Sequence, residues 1–150
     1  MQIKETFFGT IECTNDRRLS EILASRSYSF INHKINSLDD KLIYEKMNIE
    51  IGFLDITGKV KLTDAGVFRG NFTRANIVDL ALFGEKYPEL EGRRIVLAPG
   101  DPFIIINGGL HIPFIQRERK NQLNFSLDNI DSCYYPGYYS DVSILIKRIL

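Results

Sequence analysis

The sequence predicts a single α+β domain over residues 1–150: a mostly antiparallel β-sheet, arranged as a two-layer sandwich or barrel-like form, with two or three short helices. Three observations carry this expectation. The chain divides into roughly eight or nine strand-like stretches, the clearest of which alternate apolar and polar residues with a period of two. Helical spacing appears in only a few short ones, and the two patterns do not follow the regular strand-helix alternation of a parallel doubly wound sheet. A chain of 150 residues with 44% hydrophobic side chains suits one core, burying roughly 70% of its unfolded surface.

In chain order, Ile3, Glu5, Phe7 and Ile11 alternate with Lys4, Thr6, Thr10 and Glu12, so residues 2–12 are predicted to be a half-buried first strand. Asn15 or Asp16 is placed to cap a short helix whose apolar stripe is Leu19, Ile22 and Leu23. Residues 27–46 read two ways: Tyr28, Phe30 and Ile31 suit a strand, and Ser37 with Asp40 suits a helix start. Alternation returns at Met47, Ile49, Ile51 and Phe53. A turn at Thr57-Gly58 is then expected to fold Lys59–Thr63 back, with Phe53 opposite Leu62 and Asp55 opposite Val60. Asn71 or Thr73 is the expected cap of a helix running to about Phe83, with Gly84 near its end.

The stretch Glu91–Gln116 is read as the organising core. It divides into strands Arg94–Ala98, Phe103–Asn107 and Leu110–Gln116, joined by a Pro-Gly-Asp-Pro corner and an Asn-Gly-Gly hairpin turn. Phe103, Ile104, Ile105 and Ile106 leave no polar face, which predicts a strand covered on both sides. Leu123, Phe125 and Leu127 form a further amphipathic strand. The segment DNIDSCYYPGYYSD is expected to be a loop before a last strand from Val142 to about Ile149.

Nineteen basic residues balance nineteen acidic ones, so no global field favours nucleic acid or an anionic membrane. The N-terminus lacks the features of a secretory signal, no apolar run reaches membrane-spanning length, and two cysteines, Cys13 and Cys133, are not a disulfide framework. A cytoplasmic protein is expected. Phosphate-cradling, dinucleotide-binding, zinc-protease and nucleophile-elbow motifs are all absent, so neither a metal nor a cofactor is expected.

The residues that remain support three readings. Tyr134, Tyr135, Tyr138 and Tyr139 flank Pro136-Gly137; tyrosine supplies contact area and a hydroxyl at low entropic cost, which suits a binding surface. With antiparallel strand edges, these rings point to a non-catalytic binding or assembly module whose partner is a protein, most simply a second copy of itself. The alternative is a small hydrolase or isomerase. A two-residue turn at Asn107-Gly108 places His111 opposite Ile104, where Asp101 is close enough in sequence to orient its ring for acid-base work, with Arg94 or Arg117 holding an anionic substrate. A third reading takes the clusters Arg17-Arg18, Arg93-Arg94 and Arg117 with Arg119 and Lys120, together with the tyrosines, as a nucleic-acid surface.

Overall fold

The strand that alternation marks from Met47 to Phe53 runs on to Thr57, and it lies inside the sheet with a neighbour on each side. The computed structural model describes the whole chain except residues 1, 14–16, 42–46, 58–59, 62–71, 88–94, 101–103, 120–121, 130–133 and 136–141. In chain order the described residues form β1 (Gln2–Cys13), α1 (Leu19–Ala24), β2 (Phe30–Ile31), a 3-10 segment (His33–Lys41), β3 (Met47–Thr57), β4 (Val60–Lys61), β5 (Thr73–Arg74), α2 (Ile77–Lys86), β6 (Ile95–Leu97), β7 (Ile104–Ile106), β8 (Gly109–Arg119), β9 (Gln122–Asn129), β10 (Tyr134–Tyr135) and β11 (Val142–Ile149).

Nine of these strands make one open sheet in the order β1-β3-β11-β6-β8-β9-β2, with β5 added beside β11 and β7 beside β8. Strands β4 and β10 form a separate two-stranded ribbon. Only β6 on β11 and β2 on β9 are parallel pairs, so the α+β, mostly antiparallel class read from the sequence holds. Among the described residues no helix is long and apolar enough to cross a membrane.

The core follows from the period-two faces. Ile49, Ile51 and Phe53 of β3, Leu145 of β11, Val96 of β6, Ile115 of β8 and Phe125 of β9 are buried in one cluster with α2. Alternate residues on the other face, Leu54, Leu97, Ile112 and Ile144, are also buried. Each such aliphatic side chain contributes roughly 1.5–3 kcal/mol gross by leaving water. Helix α2 is buried from Ile77 to Gly84, with Asp79 as the one charged residue in that span. Phe83 fixes it on the sheet through an edge-to-face contact with Phe53, with ring centroids 5.4 Å apart.

Four expectations are corrected. The hairpin proposed at Thr57-Gly58 is not how β3 pairs: Phe53 faces Thr6 and Leu145, and Asp55 faces Lys4 and Ser143. Two long strands supply a longer ladder than the two residues of β4, which pair instead with Tyr134 and Tyr135. That pairing also replaces the expected loop with strand at the start of the tyrosine stretch. The cap of α2 is Asn76, because Thr73 and Arg74 are held extended against Lys147 and Ile146. The Asn76 side-chain oxygen accepts from the amides of Val78 and Asp79, and the Asp79 carboxylate accepts from the Asn76 amide at 2.8 Å. Finally, Ile104–Ile106 is not sealed on both faces. Ile105 is 66% exposed, because β7 pairs with β8 alone and stands outside the doubly covered centre.

Candidate functional site

The hairpin that carries His111 forms as its sequence requires. Asn107 and Gly108 both take positive φ, 52° and 81°, the conformation of the tight turn that Asn-Gly favours, and His111 falls opposite Ile104. Its other neighbour across the sheet is Asn129. The ring is buried, and its Nδ1 lies 2.9 Å from the carbonyl oxygen of Gly109. A carbonyl only accepts, so Nδ1 carries the hydrogen of this contact. The backbone of its own hairpin therefore orients the imidazole. Asp101, the residue expected to do so, lies outside the described residues.

The other predicted residues are dispersed. Tyr134 and Tyr135 sit in the β4–β10 ribbon, while Tyr138, Tyr139 and Arg94 lie outside the described residues. Arg117, half-buried, is opposite Leu123, and Arg119 is opposite Gln122 beyond a bulge. Since Ile95 pairs with Gln116, both arginines occupy the end of β8 at which β6 begins. Among the described residues, no group of three or more His, Cys, Asp or Glu side chains is placed to hold a metal ion.

The strand edge predicted as a contact surface resolves into one long strand and two short ones. β2 spans two residues and β7 three, whereas β1 spans twelve and, among the described residues, pairs only with β3. The ladder breaks once, between Phe7 and Gly9. Past this bulge the end of α2 folds over the strand. Lys86 Nζ donates to the Thr10 carbonyl oxygen at 2.6 Å and the Tyr87 hydroxyl donates to it at 3.2 Å. The same tyrosine lies so close to Gly9 that a Cβ there would run into its hydroxyl. None of this was read from the sequence. The signal was the glycine inside an otherwise alternating strand, which marks a bulge or a close approach.

The corner behind this edge is charged and latched. Glu85 near the end of α2 takes a two-point ion pair from Arg17, whose Nη1 donates at 2.7 Å, and it also accepts from the Ser25 hydroxyl. The Arg17 hydrogen bond holds the Glu85 carboxyl below its usual range, against the opposing pull of burial. Arg26 donates to the Gly84 carbonyl oxygen at 2.6 Å and lies over the Tyr28 ring. The Tyr28 hydroxyl is buried and, among the described residues, has no hydrogen-bond partner, and burial pushes its pKa up to about 12 despite the nearby Arg26. Deeper in the core, Lys147 of β11 pairs with the fully buried Asp79 at 2.8 Å, joining the sheet to the first turn of α2.

No protein-family model, curated protein or solved structure matches this chain.

Proposed function

We propose that this protein is a non-catalytic, intracellular binding or assembly module that makes protein contacts through the outer edge of β1. The observation that carries the reading is a twelve-residue strand with a partner on only one side among the described residues. The backbone donors and acceptors on the far side of such a strand are a template for a further strand. The predicted site residues supply a competing chemistry less well: His111 is buried and its ring is engaged by its own hairpin.

A photo-crosslinking amino acid placed at the exposed Thr6 tests this in the native cell. Discrete protein adducts are expected from Thr6 and none from the exposed Asn36, which lies in the 3-10 segment. Equal yields at the two positions, or none at either, overturn the proposal.

A further inference from the structure

Just past the bulge in β1, the strand is occupied from within the chain. Lys86 Nζ donates to the Thr10 carbonyl oxygen at 2.6 Å, and the Tyr87 hydroxyl donates to the same oxygen at 3.2 Å. A carbonyl oxygen has two lone pairs, and these donors use both, which leaves nothing for the amide of an added strand. The Tyr87 hydroxyl also stands where a Cβ on Gly9 would be, and Lys86 Nζ lies 5.6 Å from the centre of the tyrosine ring. The two side chains therefore hold each other as well as the strand. A bulge, a lysine and a covering side chain are devices by which proteins close a strand edge to other strands.

This cover can be withdrawn without disturbing the core. Helix α2 is buried as far as Gly84, and its end is tied to the residues around α1 before the cover begins. Arg17 and Ser25 hold Glu85, and Arg26 holds the Gly84 carbonyl oxygen. Lys86 and Tyr87 come after these ties, the first exposed and the second half-buried. Each reaches the exposed Thr10 with the tip of a long side chain. Release thus needs side-chain rotations at the surface, a local opening that leaves the buried helix in place. A tie that served only to pack α2 on β1 would not have to end on a backbone group that a further strand requires.

We infer that Lys86 and Tyr87 form an autoinhibitory cover on β1: an added strand extends past the bulge only when its backbone N–H displaces them from the Thr10 carbonyl. This rests on the reading of β1 as the working edge and adds its regulation. The test places the photo-crosslinking residue at the exposed Glu12, beyond the cover, and in parallel at Thr6, before it, in the full chain in the native cell. Three backgrounds are compared: the unaltered chain, the double variant Lys86→Met with Tyr87→Phe, and Lys86→Arg, which keeps a donor at each position. Glu12 adducts should be scarce in the first and third. In the double variant they should rise at least about fivefold, the gain expected when a competitor no longer displaces two hydrogen bonds. They should match the Thr6 adducts in mass, and Thr6 should keep its adducts throughout. Tyr87→Phe alone, which retains the ring and loses one donor, should raise the Glu12 yield about twofold and serves if the double variant does not fold. Equal Glu12 yields in all backgrounds, with Thr6 adducts present, overturn the inference and leave the edge function standing. Glu12 adducts whose masses never occur at Thr6 also overturn it, because the variant has then exposed a different surface. No adduct at either position in any background removes both readings.

Discussion

Ile104-Ile105-Ile106 and Ile144-Leu145-Ile146 are nearly the same tripeptide, yet they end in opposite environments. All three residues of the second are buried, at 1%, 0% and 4% exposure, while Ile105 of the first is 66% exposed. β11 has β3 along one side and β6 and β5 along the other, and both of its faces are covered. β7 has only β8. An apolar run states that burial is favourable; its neighbours decide whether burial happens. The centre of this molecule is therefore the last strand of the chain, and the run that reads as most apolar is a short edge.

That contrast can be broken or sharpened by measurement. The largest effect is expected at Asp79, the partner that allows β11 to carry Lys147 into the core. Asp79→Ala leaves the largely covered Lys147 cation without this carboxylate and removes half of the reciprocal cap, costing about 3 kcal/mol in urea unfolding. A loss under about 1 kcal/mol would mean that the lysine reaches water and the centre is less sealed than described.

Next is the direct comparison of the two tripeptides. Leu145→Ala is expected to cost about 3 kcal/mol, and Ile105→Ala under about 0.5 kcal/mol. Equal costs would abolish the distinction between centre and edge.

Two titrations follow, both at the corner beside α2. Tyr28 has its folded pKa raised from 10.0 to about 12, so its contribution is intact below pH 10 and is lost as pH rises from there towards 12. The loss amounts to about 2–3 kcal/mol and should vanish in Tyr28→Phe, as followed by denaturant midpoint against pH. Glu85 has a lowered folded pKa, so its contribution is present above the ordinary carboxylate range and disappears as pH falls through it. Because the Glu85–Arg17 pair is partly solvated, Glu85→Gln should cost under about 1 kcal/mol at neutral pH and flatten the acid limb of the stability curve.

Much of the fold was legible residue by residue. The alternation at Ile3–Ile11, Met47–Phe53 and Leu123–Leu127 located β1, β3 and β9; the stripe Leu19, Ile22 and Leu23 located α1; and Asn107-Gly108 set both the turn and the partner of His111. The cap at Asn76 was missed although Asn76 and Asp79 stand at capping-box spacing, since Asn71 and Thr73 offered equally good chemistry nearer the expected start. At the candidate edge, β1 was readable as a strand, but the cover over its second half was not. Lys86 and Tyr87 lie more than seventy residues away, and only folding brings them onto Thr10.

By itself the sequence determined where the long strands and the first helix lie and where the Asn107-Gly108 turn falls. These are short-range matters of backbone preference and apolar spacing. The tertiary structure alone decided which strands are neighbours, and with that why Ile105 faces water, why Lys147 finds Asp79 and why Lys86 and Tyr87 reach Thr10. Pairing joins residues far apart in the chain through backbone groups that every residue carries alike, so no local pattern encodes it.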